Sequence, residues 1–163
     1  QGIRVGIASG RPLFSVRELI SELNITDPCM LFSGALIADP ISGAALHSAA
    51  LDPELAKNAL MIARDLNLHA ELYTTDQYFI HKTNDYVAMH QTYLKQAPTI
   101  TDQIAVIGRE KVIKIVIVME REKEEARFRA AMDKFGDVIF GLGFGAAHPN
   151  ILFANKLAKT RTA

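Results

Sequence analysis

The residues best arranged for chemistry are Ser9-Gly10-Arg11. They follow a short β-branched run, residues 3–8 (IRVGIA), and precede a helical pattern. In that position the serine hydroxyl and the adjacent backbone N–H groups are expected to point outward at the start of a helix, where unpaired N–H groups and the helix dipole converge on an anion. Any strand-to-helix turn also favours Ser and Gly for capping, so the tripeptide alone is compatible with both roles. Rival constellations fare worse. Gly141-Leu142-Gly143-Phe144-Gly145 follows a strand-like run, but Pro149 and a further strand leave no room for the helix that a dinucleotide fingerprint requires. The five histidines, at 47, 69, 81, 90 and 148, have no metal-ligand spacing with one another or with a carboxylate pair on one helix face, so they are expected to be surface or core residues.

The elements that must position the turn are legible in the hydrophobic pattern. Val16, Leu19, Ile20 and Leu23 fall at i, i+3, i+4 and i+7, which predicts a helix from about Phe14 to Asn24, ended by Asp27-Pro28. The apolar run Cys29 to Phe32 then completes a strand–helix–strand unit with parallel strands and a right-handed crossover, a piece of a doubly wound α/β sheet. From Leu36 the pattern changes to a β-hairpin, turning between Pro40 and Gly43 and running on to Leu51. Asp52-Pro53-Glu54 is a helix start, with Leu55, Ala59, Ile62, Ala63 and Leu66 on one face. Strands are expected at 69–74 and 78–82, a helix at 85–96 and a central strand at 112–119. A helix over 120–135 follows, closed by Gly136, and then strands at 138–142 and 151–154. The fold class expected is therefore α/β. Residues 1–50 form a partial Rossmann-like core with the turn and the hairpin, residues 51–154 an α+β module with a mixed or antiparallel sheet, and residues 155–163 a return to the core.

Composition narrows the partners. The chain has 163 residues, 49% of them hydrophobic, which allows one or two small domains with a sizeable core. Eighteen Lys and Arg balance 18 Asp and Glu, and no basic run exceeds two residues, so the basic stripe needed by nucleic acid or an anionic membrane surface is absent. No stretch approaches the roughly 18 apolar residues of a membrane span, and no signal-peptide pattern opens the chain. The lone cysteine, Cys29, sits in an apolar run, which fits a reducing compartment; the expected location is the cytoplasm. The chain starts at Gln1 without an initiator Met, directly on an apolar run, and reads as a fragment cut before a core strand.

Residues 2–12 (GIRVGIASGRP) and 31–39 (LFSGALIAD), in this order with a helix between them, resemble the second motif of the Cof-type phosphatases of the haloacid dehalogenase superfamily. In that family a strand ends in Thr or Ser followed by Gly-Arg-Pro, a helix follows, and a second strand leads into Asn-Gly-Ala and a hairpin. The resemblance continues through residues 51–154, which correspond to the family's substrate-specificity cap. It implies a magnesium-dependent phosphatase that acts on a small phosphorylated metabolite, a sugar phosphate, through an aspartyl-phosphate. A phosphomutase on the same scaffold shares these motifs, and a non-catalytic cap or binding module is the alternative for the chain as it stands.

Carried over by motif, Ser9 holds a phosphoryl oxygen with its hydroxyl and Gly10 donates a second hydrogen bond from its amide. Arg11 lies near the cleft between core and cap, or pairs with a carboxylate elsewhere in the core; both readings stay open. Ser33 stands where the family has Asn, beside Gly34, at the mouth of the site. The resemblance makes Lys159, in Ala158-Lys159-Thr160, the candidate for the lysine of the third motif, with Lys156 as its competitor. The family's paired Asp-x-Asp and its acidic metal motif are missing, which implies truncation at both ends and magnesium ligands outside this chain. Tyr73 and Tyr78 are expected to pack rather than to line a sugar-phosphate pocket. The exposed stub of core is expected to favour self-association.

Overall fold

The computed structural model describes residues 2–133, 138–145 and 148–159; for residue 122 and the last two segments it describes the backbone only. The run before Ser9 finds one neighbour. Residues 7–9 lie parallel to a short strand, β1 (Cys29–Leu31), through Ser9 N–H to Met30 C=O and Met30 N–H to Ile7 C=O, both 2.8 Å. This is the parallel pairing of a strand–helix–strand unit, but residues 3–8 are not a buried strand. Ile3 is 82% exposed and Val5 59%, because no described strand or helix covers their other side.

The connecting helix is also shorter than its apolar spacing predicts. A 3-10 turn at Leu13–Ser15 breaks at Val16, and α1 runs only over Arg17–Glu22 before Asn24 adopts a left-handed φ of 50°. Of the expected stripe, Val16 and Ile20 are buried while Leu19 and Leu23 stay exposed. The inward face is completed by Leu13 and Ile25 instead. β1 pairs antiparallel with β2 (Leu36–Ala38), and β2 with β3 (Ala45–Ser48), which is the expected hairpin.

Asp52 then caps α2 (Pro53–Asp65): its Oδ1 accepts from Leu55 N–H at 2.9 Å, and Pro53 occupies the first position, where no N–H is needed. The remaining elements are β4 (His69–Tyr73), β5 (Tyr78–Ile80), α3 (Asp85–Leu94), β6 (Thr99–Ile100), α4 (Gln103–Val106), β7 (Lys114–Glu120), α5 (Arg121–Met132), β8 (Val138–Gly145) and β9 (His148–Lys159). The strands form one sheet of order β6-β5-β4-β7-β9-β8, antiparallel except for the parallel pair β5 and β6. β9 stays paired in this sheet to its last residue, Lys159 opposite Val138; Gly136 and residues 160–163 lie outside the described residues. No described helix is long and apolar enough to cross a membrane.

Both faces of β4, β5 and β7 are covered. On one, Leu72, Ile115, Ile117 and Met119 pack against Leu60 of α2 and Phe128 of α5. On the other, Tyr73, Tyr78, Val116 and Val118 share a core with Leu13, Val16 and Phe32 of the stub and Leu94 of α3. Each large side chain so buried is worth about 1.5–3 kcal/mol, so the stub and the sheet adhere through a true core rather than a hinge of polar contacts. This core sets α3 and the Ser9 turn side by side, with α3 against the Leu13–Ser15 turn.

Candidate functional site

The turn after Ile7 is held from behind by backbone hydrogen bonds, which leaves its polar groups facing out. Ser9 C=O accepts from Ser33 N–H at 2.9 Å and Arg11 C=O accepts from Phe32 N–H at 3.2 Å. Ser9 Oγ accepts from the N–H of Arg11 at 3.1 Å. With that lone pair occupied, the hydroxyl proton is free to donate to a ligand. The next residue, Gly10, is exposed, and its N–H has no acceptor among the described residues. A hydroxyl and an amide on adjacent residues form a two-donor cradle for an oxyanion. The helix dipole expected to assist contributes little, because only a three-residue 3-10 turn and the six-residue α1 follow.

Against this turn lies a left-handed run. Phe32, Ser33 and Gly34 have φ of 50°, 58° and 99°. The first two are costly for residues with a Cβ, and Asn is the non-glycine side chain that tolerates such a φ most readily. That is a physical reason for the Asn usual before Gly-Ala in the motif. A Cβ on Gly10 would lie 3.2 Å from Ser33 Oγ, so glycine there lets the Ser33 hydroxyl sit beside the cradle. At Gly34 a Cβ would meet only Met30 Sδ at 3.8 Å, an ordinary contact, and the whole cost of Gly34→Ala comes from its positive φ. We expect that substitution to destabilise the protein by about 1–2 kcal/mol. An unchanged midpoint in urea unfolding would show that the turn relaxes to another conformation.

Arg11 extends from the turn toward α3, and its guanidinium carbon lies 3.7 Å from the ring centre of Tyr93. No carboxylate among the described residues pairs with it. Tyr73 and Tyr78 are buried and stacked on each other at 5.3 Å, with Phe32 edge-on to Tyr73 at 6.0 Å and Phe14 stacked on Tyr78 at 6.2 Å. They pack the seam, as expected.

A family model described as haloacid dehalogenase-like hydrolase matches residues 1–157. The chain belongs to the haloacid dehalogenase-like hydrolases. Among solved structures it is similar to a haloacid dehalogenase-like hydrolase from Bacteroides thetaiotaomicron, at 20% identity and TM-score 0.72, over 94% of this chain and 58% of that one. A phosphatase of the superfamily from the same organism matches at 19% identity and TM-score 0.68, over 99% of this chain and 56% of that one. A sugar phosphatase of subclass IIB matches at 14% identity and TM-score 0.69, over 98% and 58%. At these identities the likeness establishes the fold. No curated protein matches the chain. The chain spans a little over half the length of the solved structures it matches. The α/β fold of this hydrolase family, a partial Rossmann-like core with a second α+β sheet, is the one the sequence led us to expect.

Within this hydrolase fold the structure brings Ser9, Gly10, Arg11, Ser33 and Gly34 together around one turn. Lys156 and Lys159 lie on the backbone of β9, and their side chains are outside the described residues. Among the described residues no group of His, Cys, Asp or Glu is arranged to hold a metal ion, so these residues do not fit the magnesium that the family implies.

One cluster escaped the sequence reading. Glu71, in β4, is fully buried and accepts from Tyr73 Oη at 2.6 Å, while His90 Nδ1 lies 2.8 Å from both carboxylate oxygens and His69 Nε2 lies 3.2 Å from Oε1. Burial pushes its carboxyl up, but the hydrogen bonds from His69 and His90, the charge of His90 and the bond from Tyr73 together bring it down to about 2. Burial, with the charge of Glu71 beside it, holds the Tyr73 hydroxyl well above its ordinary range. The available signal was the alternation His69, Glu71, Tyr73 on one face of a strand whose other face is apolar.

Proposed function

We propose that the chain supplies the phosphate-gripping turn and the substrate cap of a Cof-type phosphatase. Its substrate is a small phosphorylated metabolite, a sugar phosphate, hydrolysed in the cytoplasm through an aspartyl-phosphate. The observation that carries this reading is the pair of free donors, the Ser9 hydroxyl and the Gly10 amide, at the seam where Arg11 meets the cap helix α3. Phosphoryl transfer asks a protein for positioning and charge neutralisation more than for many covalent partners. Ser9 and Gly10 fix two phosphoryl oxygens, Arg11 adds positive charge beside them, and Lys159, by its motif, is the further charge clamp. Ser33, exposed beside Gly10, contacts the substrate at the mouth.

The attack needs a carboxylate, and no Asp-x-Asp pair occurs in the 163 residues. The reading therefore assigns the nucleophile, the general acid and the magnesium ligands to further parts of the protein. Those parts also cover the exposed apolar residues of the stub, Ile3, Val5, Met30 and Leu46, where isolated copies of this chain would otherwise meet one another. The purified 163-residue chain is expected to show no turnover of a generic phosphate ester with magnesium present. Magnesium-dependent hydrolysis by that chain would overturn the assignment of the nucleophile.

A further inference from the structure

Arg11 belongs to the turn, but what holds its side chain belongs to the other lobe. Tyr93 sits in the last turn of α3 and is 58% exposed, so its ring is not kept in place as part of a core. The helix that carries it is nevertheless anchored, with Val87 and Leu94 of α3 buried. His90, three residues earlier, is bonded to the buried Glu71 at 2.8 Å. Just past the helix, Tyr78 Oη donates to Gln96 C=O at 3.1 Å and Gln96 Nε2 donates to Asp76 C=O at 3.2 Å. A long, flexible arginine side chain is thus met by an aromatic face carried on an anchored helix.

The contact leaves the arginine chemically available. An aromatic ring attracts a guanidinium through its quadrupole and takes none of its hydrogen-bond donors. Among the described residues nothing else takes them either: the guanidinium has no carboxylate or carbonyl partner. At its other end, Arg11 N–H is bonded to Ser9 Oγ, so platform, guanidinium and cradle form one continuous path from the cap to the turn.

We propose that Tyr93 is a positioning residue for phosphate binding: its ring holds the Arg11 guanidinium beside Ser9 and Gly10, ready for a phosphoryl oxygen. The place of α3 thereby sets the strength of the anion site. This rests on the phosphate-binding reading of the Ser9 turn.

The test is calorimetric titration of the 163-residue chain with inorganic phosphate, comparing the unmodified protein with Tyr93→Phe, Tyr93→Leu, Arg11→Ala, Ser9→Ala and the double variant Tyr93→Leu/Arg11→Ala. An exposed cation–π contact corresponds to about a two- to fivefold change, so Tyr93→Leu is expected to bind phosphate that much more weakly. Tyr93→Phe, which keeps the ring, restores binding. Tyr93→Leu adds nothing once Arg11 is alanine. Because the ring is exposed, the thermal midpoint should hardly move, and the Arg11 side-chain protons should lose their ring-current shift in Tyr93→Leu but keep it in Tyr93→Phe. Suppose phosphate binds and Ser9→Ala weakens it, yet Tyr93→Leu binds as the unmodified chain does, or Tyr93→Phe is as weak as Tyr93→Leu. The positioning role is then overturned and the phosphate turn stands. An additive loss in the double variant overturns it as well. If the unmodified chain binds no phosphate, or Ser9→Ala binds as well as it does, the phosphate-turn reading itself fails and takes the role of Tyr93 with it.

Discussion

Replacing Glu71 with leucine is expected to destabilise the protein by about 3–5 kcal/mol, the usual cost of removing one partner from a buried ionic cluster. The carboxylate is fully buried and is bonded to three side chains, so its loss removes the acceptor that His69, His90 and the Tyr73 hydroxyl share. Glu71→Gln, which can still accept from Tyr73, should cost less. The acid limb gives an independent check. The Glu71 carboxyl is lowered in the fold from the ordinary 4.5 to about 2, so its contribution is complete above pH 4.5 and is lost as the pH falls from there toward 2. That difference corresponds to about 3 kcal/mol. Urea unfolding from pH 7 down to pH 3 should show about 2 kcal/mol of this loss in the unmodified chain and a flatter profile in Glu71→Gln. Parallel profiles, or an unchanged midpoint for Glu71→Leu at pH 7, would show that the cluster does not hold the seam.

Ser9→Ala in a complete protein that contains these residues should lower the turnover of a phosphate ester about a hundredfold, since one oxyanion-type hydrogen bond is worth about 3 kcal/mol. Ser9→Thr, which keeps the hydroxyl, should retain most of the activity, in keeping with the Thr or Ser found at this position of the motif. The fold gives little reason for a structural effect: Ser9 Oγ makes a single local bond, to Arg11 N–H, and Ser9 N–H and C=O stay paired whatever the side chain. Steady-state kinetics on the two variants decide the matter. An undiminished rate in Ser9→Ala would remove the residue from the site.

The parts of the fold that could be read in advance are those whose instructions are local. Asp52-Pro53 starts α2 because a cap and a proline act on the next few residues, and the β-branched run of β7 needs no knowledge of its partners to be recognised as a central strand. β6 and α4, with two and four residues, carry no period to detect. α4 is instead fastened by Gln103, whose buried amide donates to Ala70 C=O at 2.9 Å and Phe79 C=O at 2.8 Å, partners 33 and 24 residues away. Residues 3–8 mislead for a related reason: an apolar run states what a segment needs, and only its neighbours decide whether it is covered. The turn at Ser9 was legible as a motif, since hydroxyl, glycine and flanking elements are contiguous. The partners of Arg11 and Glu71 were not, because Tyr93 and His90 reach them from a helix placed by the packing of the two lobes.

Three of the four tyrosines of this chain, 73, 78 and 93, lie at the seam, and the chain has no tryptophan. Tyr73 and Tyr78 stack between the lobes, Tyr86 faces His69 at 6.0 Å and Tyr93 meets Arg11. Near-ultraviolet emission from the protein therefore originates largely where the stub meets the six-stranded sheet, and is tied to the carboxylate that accepts the Tyr73 hydroxyl. The molecule carries its own optical gauge of whether the two lobes are together, with no dye and no introduced residue.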